Sequence, residues 1–449
     1  MKASRFNIVV DQPKSEDVLL FNTLYGGLTA WDRSEFPIAQ HCLDEPNRPG
    51  ADQASILVKK KLVDSKYIVE DEADEIAIVK NRKLLGMRDT NRLDIVIMPN
   101  LTCNLACPYC YESHTPSAFM VDSTEQAIKC WLERSIPMFK VVLLNWFGGE
   151  PLLSYKRITS ISKHAQEVCD ANSVALLTNI TTNGYLLDER RIRELTGMGI
   201  LSYQITVDGP ASIHNKMRPL RKGGGSFDRI FDNILILARA DKRVRVSLRV
   251  NFNHHNLHTI PELLTLFPED VRSQLRVVYE PIFGEECLSA TQNIPADKIA
   301  SHMVAYYRLA KELGYDVTLG GLGIGKLVYC YAERENQLII SYNGDLFKCT
   351  VCGFSREERI GILSSEGEVT FDQERWNKWF GMELFDEKCA GCKFLPLCMG
   401  GCRKTRREDA STGSFCALVP TNTSFVLKSV ALYKFADLLH GHYVESPET

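Results

Sequence analysis

Three cysteines stand close together in one short stretch of the chain. Residues 100–112 read NLTCNLACPYCYE and place Cys103, Cys107 and Cys110 in a Cys-x3-Cys-x2-Cys pattern. Cysteine thiolates hold the iron of cubane iron–sulfur clusters, and three of them fill three of the four iron corners of a four-iron cluster. The fourth iron is then open to a ligand that is not protein. The spacing therefore predicts a cluster with one reactive corner.

A zinc knuckle and ordinary buried thiols are the alternative interpretations of this stretch. Zinc sites usually have four ligands, commonly arranged as two Cys-x2-4-Cys pairs, so a fourth ligand such as His114 would be needed here. Buried free cysteines are common, but three cysteines within eight residues beside Pro108 and Tyr109 are not a packing pattern. We therefore favour the cluster.

A second group of cysteines lies between residues 330 and 416. It begins as Cys-x13-Gly-x4-Cys and continues as Cys-x2-Cys-x5-Cys-x3-Cys. The chain has 15 cysteines, and without an apolar signal segment at its start this number indicates metal binding or catalysis rather than disulfides. A zinc ribbon is the alternative to iron, because Cys-x2-Cys alone is typical of zinc. The candidate ligands are Cys330, Cys349, Cys352, Cys389, Cys392, Cys398, Cys402 and Cys416.

The elements that position the first cysteines alternate between strands and helices, which predicts a parallel sheet. The predicted strands are 94–98, 141–147, 175–182, 201–208, 244–252 and 275–283. The predicted helices are 123–137, 157–170, 188–198, 226–240, 257–267 and 296–313. The cysteine loop directly follows the first of these strands.

Polar and glycine-rich segments follow or end the next strands. Gly148-Gly149-Glu150-Pro151 follows the second strand, Asn183 the third and Asp208 the fourth, and Arg249 and Asn251 lie on the fifth. Glycines let the backbone approach a ligand closely, although Gly-Gly and Pro are also ordinary turn residues. Asp208 either faces a substrate or caps a turn. Strand alternation puts Arg249 and Asn251 on one face, and a guanidinium group is a good partner for a carboxylate.

The cysteine loop, the Gly-Gly-Glu-Pro segment and their order along the strands closely resemble the radical S-adenosylmethionine enzymes. The resemblance implies an α/β fold with a partial (β/α)6 TIM barrel, whose ligands bind at the C-terminal ends of the strands. It also implies that the open iron chelates the methionine moiety of S-adenosylmethionine and that a 5′-deoxyadenosyl radical is made. The implied cofactor-binding residues are Tyr109, Gly148, Gly149, Glu150, Pro151, Asn183, Arg249 and Asn251, with Asp208 as the candidate catalytic residue.

The later cysteines agree position by position with the SPASM auxiliary-cluster domain of radical enzymes that modify peptides. This resemblance implies two auxiliary clusters, and so three 4Fe-4S clusters in all. It assigns the distal cluster to Cys389, Cys392, Cys398 and Cys416, and the nearer cluster to Cys330, Cys349 and Cys402. Cys352 either completes the nearer cluster or leaves it with an open iron.

The N-terminal residues predict a small unit of strands and helices. A hairpin is predicted in 16–32 around Tyr25-Gly26-Gly27, one or two helices in 33–62, a third strand at 66–70 and a helix in 71–88. The unit resembles the winged-helix-like domains that bind a leader peptide as an added strand, and a purely structural extension is the alternative. The predicted domains are 1–88 (leader recognition), 89–315 (barrel), 316–425 (SPASM) and 426–449 (C-terminal helix and tail).

Composition limits the possible partners. The net charge of −3 gives no reason to expect nucleic acid or a membrane surface as a partner. The longest apolar runs are far shorter than the ~20 residues of a membrane helix, and we expect a cytoplasmic protein. The expected partners are a precursor peptide with a leader sequence and an electron donor such as flavodoxin or ferredoxin.

These resemblances together imply a maturase of ribosomally made peptides. The radical would abstract hydrogen from a residue of the peptide, and oxidation would yield a thioether or carbon–carbon crosslink. An anaerobic sulfatase maturase that makes formylglycine is the first alternative, but that branch carries an aspartate where this chain has Thr350. A non-catalytic iron–sulfur carrier or scaffold is the second alternative, and it would need neither the open cluster nor the Gly-Gly-Glu-Pro segment.

Overall fold

The computed structural model describes residues 1–11, 16–112, 115, 117–282, 296–317 and 325–408. Contacts between residues divide this part of the chain into two units. The N-terminal unit contains the described residues of 1–87, 325–330 and 383–408, and the barrel unit those of 88–317 and 331–382. His114, Cys416 and the predicted C-terminal helix and tail at 426–449 lie outside the described residues.

The N-terminal unit contains an antiparallel sheet of β2 (Asn7–Asp11), β3 (Asp17–Asn22) and β4 (Leu28–Asp32). β3 and β4 form the predicted hairpin. The predicted strand at 66–70 is confirmed but is shorter, since it covers only β5 (Ile68–Val69), which pairs with β1 (Lys2–Ala3) in a separate sheet. Lys66 has a φ of 61°, a left-handed conformation in which a strand cannot begin.

Three helices complete the N-terminal part of this unit and confirm the predicted helical segments. They are α1 (Phe36–Asp44), α2 (Gln53–Asp64) and α3 (Glu75–Met87). Asp52 and Ser55 form a capping box at the start of α2, which satisfies backbone N–H groups that the first turn leaves without partners.

One hydrophobic core joins residues 1–87 to the segment 383–408 within the N-terminal unit. Phe6 and Leu24 pack against Leu395 and Met399. The fully buried Lys83 donates from Nζ to the carbonyl oxygen of Met399 at 2.5 Å. The segment contains the short helices Glu387–Ala390, Leu395–Cys398 and Arg403–Glu408. Four of the later cysteines therefore lie on a segment that is stabilised by the N-terminal residues.

The barrel unit is built on six parallel strands whose order in the sheet follows their order in the chain. They confirm the predicted strands and form a partial (β/α)6 barrel with the helices between them. The strands are β6 (Arg92–Ile97), β7 (Val141–Trp146), β8 (Ala175–Thr182), β9 (Ser202–Thr206), β10 (Arg245–Phe252) and β11 (Leu275–Pro281). The helices are α4 (Asp122–Ser135), α5 (Tyr155–Ala171), α6 (Glu189–Gly197), α7 (Ala211–Met217), α8 (Phe227–Ala240), α9 (Ile260–Leu266), α10 (Glu269–Arg272) and α11 (Ala296–Glu312).

Short strands extend this sheet at both edges. β12 (Asp316–Val317) pairs with β11, and β13 (Gln337–Ile340) pairs in parallel with β6. The antiparallel strands β14 (Asp345–Phe347), β15 (Gly361–Leu363) and β16 (Val369–Phe371) follow, and then helix α12 (Gln373–Phe380). The contacts thus divide the predicted cysteine domain 316–425: residues 331–382 group with the barrel and 383–408 with the N-terminal unit.

The interior face of the barrel is polar. Alternate strand residues Asp94, Asn145, Asn179, Gln204 and Arg249 all border one cavity. In eightfold barrels this face is usually filled with bulky branched side chains, so the polar residues here leave space for a ligand. Among the helices of the described ranges, none is both long enough and apolar enough to cross a membrane.

Candidate active site

The cavity of the barrel unit has a volume of about 740 Å³ and is bordered by Cys103, Cys107 and Cys110. Most of the other predicted site residues of the barrel border it as well, namely Tyr109, Gly148, Gly149, Asn183, Arg249 and Asn251. Glu150, Pro151 and Asp208 are buried and do not border the cavity. The residues that the sequence singled out after different strands therefore come together at one place.

Residues 218–221 hold the cysteine loop in position. Leu105 forms a β-bridge with Leu220. Arg221 donates from Nε to the carbonyl oxygen of Cys103 at 3.1 Å and from Nη2 to that of Leu105 at 3.3 Å. The backbone of the loop is thus fixed by its neighbours, and its thiols remain at the cavity.

The surroundings of the three thiols favour their neutral form unless a cation binds. Burial raises the pKa of Cys103 to about 12 and that of Cys110 to about 11, and it also raises the pKa of Cys107. Metal ligands must be thiolates, so bound iron would supply the positive charge that stabilises them.

The three thiols of the cysteine loop all border the cavity. Among the described residues, no three His, Cys, Asp or Glu side chains are arranged to hold a single metal ion. In a cubane each cysteine binds a different iron, so its three sulfurs surround the cluster and do not converge on one point.

The Gly-Gly-Glu-Pro loop lies against the backbone of the cysteine loop. Gly148 has a φ of 120°, which glycine adopts without strain, and a β-carbon there would collide with the carbonyl oxygen of Asn100. A β-carbon at Gly149 would lie 2.6 Å from the carbonyl carbon of Thr102. The backbone N–H of Glu150 donates to the carbonyl oxygen of Thr102 at 2.8 Å. Close approach of two backbones therefore requires both glycines.

The Glu150 carboxylate connects this loop to the loop after β8. Oε1 accepts from the Thr182 hydroxyl at 2.7 Å and from the Leu152 N–H at 2.9 Å, and Oε2 accepts from the Asn183 N–H at 2.7 Å. Burial raises the pKa of Glu150, and these hydrogen bonds act in the opposite direction. Both oxygens are engaged within the protein, so the side chain positions the loops. Pro151 begins the 3-10 helix Pro151–Ser154.

Asp208 is the centre of a buried network that reaches the cysteine loop. The Tyr109 hydroxyl donates to Oδ2, and the Asn251 N–H donates to Oδ1 at 2.9 Å. Arg218 donates from Nη1 to the Tyr109 hydroxyl at 2.8 Å. Burial raises the pKa of Asp208, and Arg218 with the hydrogen bonds acts in the opposite direction. Asp208 therefore orients Tyr109, because both of its oxygens are occupied by groups of the protein.

The remaining predicted residues border the cavity and are hydrogen-bonded to neighbouring side chains. Asn183 donates from Nδ2 to Asn104 Oδ1 at 2.8 Å, and the same nitrogen lies 3.7 Å from Cys103 Sγ. Arg249 and Asn251 share a face, as strand alternation predicts, and Arg249 Nε donates to Asn251 Oδ1 at 2.8 Å.

Arg218 is a site residue that the sequence analysis did not identify. It is 8% exposed and borders the cavity, and among the described residues its Nε has no hydrogen-bond partner. Burial lowers the pKa of Arg218, but Tyr109, Cys107 and Asp208 outweigh burial and raise it, so the side chain stays charged. A charged guanidinium with an unpaired nitrogen fits a carboxylate ligand. Its sequence context, HNKMRPL, contains no motif that marks a site residue.

The later cysteines are divided between the two units. Cys349 and Cys352 belong to the barrel unit, where Cys352 is buried among Val96, Ile339 and Phe347. Among the described later cysteines, the N-terminal unit contains Cys330, Cys389, Cys392, Cys398 and Cys402. Cys416 lies outside the described residues, so the proposed ligand sets of the two auxiliary clusters stay predictions.

Comparison with known proteins agrees with this site. Residues 97–267, which contain the cysteine loop and the Gly-Gly-Glu-Pro loop, match the family model of the Radical SAM superfamily. The chain is similar to a PqqA peptide cyclase of Rhodopseudomonas palustris, with 25% identity over 75% of this chain and 90% of that protein. It is also similar to a serine-type anaerobic sulfatase-maturating enzyme of Bacteroides thetaiotaomicron, with 23% identity over 72% of this chain and 85% of that protein.

Two solved structures share the fold. The structure of native anSMEcpe with bound AdoMet and Kp18Cys peptide has a TM-score of 0.60 and 16% identity, and the alignment covers 78% of this chain and 100% of that one. The structure of Streptococcus suis SuiB bound to S-adenosylmethionine has a TM-score of 0.53 and 16% identity, and the alignment covers 92% of this chain and 98% of that one.

The fold and the site define an iron–sulfur enzyme with a partial barrel. Residues 97–267 form a radical SAM domain, the domain of a family of enzymes that use a 4Fe-4S cluster and S-adenosylmethionine.

Proposed function

We propose that this enzyme is a maturase of a ribosomally made precursor peptide and that it forms an oxidative crosslink, either thioether or carbon–carbon. The observation that carries the proposal is that the three cysteines of the cysteine loop border one cavity together with Gly148, Gly149 and Arg218. The similarity to a PqqA peptide cyclase supports a peptide as the substrate.

The residues of the chain would bind and orient the reactants. Cys103, Cys107 and Cys110 would hold a 4Fe-4S cluster, which supplies the electron that cleaves S-adenosylmethionine into methionine and a 5′-deoxyadenosyl radical. The unpaired Nε of Arg218 would bind the carboxylate of the methionine moiety, and the backbone carbonyls of Gly148 and Gly149 would accept from its ammonium group. The cofactors carry the hard chemistry, while the protein supplies position and electrostatics.

The reaction on the peptide is an oxidation. A 5′-deoxyadenosyl radical would take a hydrogen atom from a carbon of the peptide and would become 5′-deoxyadenosine. A bond from that carbon to a second side chain forms with the loss of one further electron and one proton. The electron must pass to an oxidant, and auxiliary iron–sulfur clusters at the later cysteines are the candidates.

The test is an anaerobic reconstitution with iron and sulfide, followed by an iron count and an assay for 5′-deoxyadenosine with reductant and S-adenosylmethionine. We expect about twelve irons per chain for three clusters. Changing Cys103, Cys107 and Cys110 together to Ala should leave about eight irons and abolish 5′-deoxyadenosine. Peptides encoded beside the gene are then supplied, and crosslinks are sought by mass spectrometry. Absence of S-adenosylmethionine cleavage in the reconstituted wild type would contradict the proposal.

A sulfatase maturase is the second candidate, and the similarity to a sulfatase-maturating enzyme favours it. That branch carries an aspartate at the position of Thr350. In this chain the Thr350 hydroxyl is 2.7 Å from the Tyr331 hydroxyl, and both residues border the cavity. A threonine is not a general base at neutral pH, so this position argues against formylglycine formation. A sulfatase-derived Cys or Ser peptide converted to formylglycine would establish the second candidate and exclude the first.

The N-terminal unit and the electron donor complete the proposal. The open antiparallel sheet of β2, β3 and β4 would bind the leader sequence by strand addition. A flavodoxin or ferredoxin would supply the electron. Deletion of the leader from the peptide should then weaken its binding without changing the cleavage of S-adenosylmethionine alone.

A further inference from the structure

The part of the cavity wall formed by β6 and β13 contains a buried amide without partners. Gln337 is fully buried and borders the cavity, and neither its Oε1 nor its Nε2 makes a hydrogen bond within the described part of the chain. The backbone carbonyl oxygen of Gln337 does have a partner, because it accepts from Lys348 Nζ at 2.6 Å. An unpaired buried polar group costs about 1–3 kcal/mol. A ligand that pairs with this amide would offset that cost.

A carboxylate lies beside this amide. Asp94 is the register partner of Gln337 across β6 and β13, is 2% exposed and borders the same cavity. Arg92 Nε is 2.5 Å from Asp94 Oδ1, and Arg334 Nε is 3.5 Å from Oδ2, which is too far for a hydrogen bond. Oδ2 is thus an acceptor that a ligand N–H can use. We call Gln337 and Asp94 the cavity floor.

The ion-paired charges around Asp94 balance one another. Around the Asp94 carboxylate, Arg92 and Arg334 are the cations and Asp89, whose Oδ2 is 3.6 Å from Arg334 Nη1, is the second anion; the Lys348 ammonium group is directed to backbone carbonyl oxygens. A cationic or anionic ligand group would therefore lose its hydration without gaining an unpaired partner of opposite charge. A neutral group that both donates and accepts fits better, and a carboxamide does both.

The cavity floor is separate from the cluster site. Asp94 precedes Ile97, the end of β6, by three residues, which places it about 10 Å below the strand end at ~3.3 Å per residue. The cysteine loop follows that strand end. The cavity floor therefore lies deeper in the barrel than the strand ends that carry the cysteine loop.

We propose that the cavity floor is a subsite for the side-chain carboxamide of an Asn or Gln residue in the substrate peptide. The carboxamide N–H donates to Asp94 Oδ2, and its oxygen accepts from Gln337 Nε2. The subsite selects which residue of the peptide enters the barrel. This inference rests on the proposed action on a peptide.

The test measures binding by calorimetry to the reconstituted holoenzyme in the presence of S-adenosylmethionine. The probes are the N-acetyl, N-methylamide derivatives of glutamine, norleucine and glutamate. We expect the glutamine probe to bind about three- to tenfold more tightly than the other two, which corresponds to one or two hydrogen bonds. Gln337→Leu should remove this preference. Gln373→Leu, at an exposed glutamine of α12, is the matched control and should keep it.

Two results would contradict the proposed subsite. Equal binding of the glutamine and norleucine probes to the wild type, or an undiminished preference in Gln337→Leu, overturns the subsite. If Gln337→Leu fails to fold, Gln337→Glu serves in its place, and it should lose the glutamine probe without gaining the glutamate probe. The 5′-deoxyadenosine assay on the same preparations reports separately on the proposed function, because the cavity floor does not touch the cysteine loop.

Discussion

Gly149 is a position at which a single methyl group should disturb the cluster site. Its β-carbon would lie 2.6 Å from the carbonyl carbon of Thr102, and overpacking of this kind costs about 1–3 kcal/mol. We expect Gly149→Ala to displace the cysteine loop, so that reconstituted protein holds less iron and makes less 5′-deoxyadenosine. Gly197→Ala is the control, because nothing lies within 4 Å of a β-carbon there. Full iron and full activity in Gly149→Ala would contradict this account.

Arg218 should contribute to the binding of S-adenosylmethionine rather than of iron. Its guanidinium is buried, and its free Nε at the cavity fits a carboxylate. Lysine keeps the charge but not the planar fork, so we expect Arg218→Lys to weaken the binding of S-adenosylmethionine about tenfold or more, as for loss of a charge-assisted hydrogen bond. Calorimetry on reconstituted protein measures the binding. The iron content should stay unchanged, and the exposed Arg229→Gln should behave as the wild type.

The sequence predicted some residues of the site and missed others. The cysteines, the two glycines, Asn183, Arg249 and Asn251 are recognisable because their types recur after successive strands, and they do border one cavity. Arg218 and Gln337 were missed, because what marks them is burial without a full set of hydrogen bonds. That property depends on neighbours far away in the chain, and no local pattern encodes it.

At the scale of elements, the Glu125 carboxylate connects α4 to α5. It accepts from Ser160 Oγ at 2.6 Å and forms ion pairs with Lys129 and Arg157 at 2.7 and 2.5 Å. Burial would raise the pKa of Glu125, but its hydrogen bonds to Lys129, Ser160 and Arg157 outweigh burial and lower the pKa to about 2.

A lowered pKa means that this carboxylate stabilises the fold above pH 4.5 and that the contribution is lost as the pH falls towards 2. We expect Glu125→Gln to lower the free energy of unfolding at pH 7 by about 1–3 kcal/mol, with a smaller difference at pH 3, as measured by urea denaturation. Glu167→Gln, in an exposed pair with Lys163 at 3.9 Å, should change it by less than ~1 kcal/mol. A difference that does not depend on pH would show that the ion pairs are not the cause.

The predicted parallel strands and helices of the barrel were confirmed, because each is long enough for its apolar periodicity to be read. β13 was not predicted. It has only four residues, Gln337–Ile340, and its partner β6 lies more than 200 residues earlier in the chain. The register that brings Gln337 beside Asp94 is therefore a property of the fold and not of the local sequence.

At the scale of the whole molecule, residues 1–87 and the cysteine segment 383–408 share one core. The predicted boundaries treated these segments as separate domains, because they lie at opposite ends of the chain. Their common core implies that the N-terminal residues stabilise the segment that carries Cys389, Cys392, Cys398 and Cys402. A change that loosens residues 1–87 should then affect the auxiliary cluster proposed there.

Leu24 tests this coupling, because it is 1% exposed and packs in the same core as Leu395 and Met399. We expect Leu24→Ala to cost about 2–5 kcal/mol and to lower the iron content from about twelve towards about eight per chain, as for loss of one 4Fe-4S cluster. Formation of 5′-deoxyadenosine should persist, because the cysteine loop belongs to the barrel unit. Leu85→Ala is the control, since Leu85 is 70% exposed. Unchanged iron in Leu24→Ala would mean that the cysteine segment folds without the N-terminal core, whereas loss of iron and of 5′-deoxyadenosine together would mean that the two units do not fold independently.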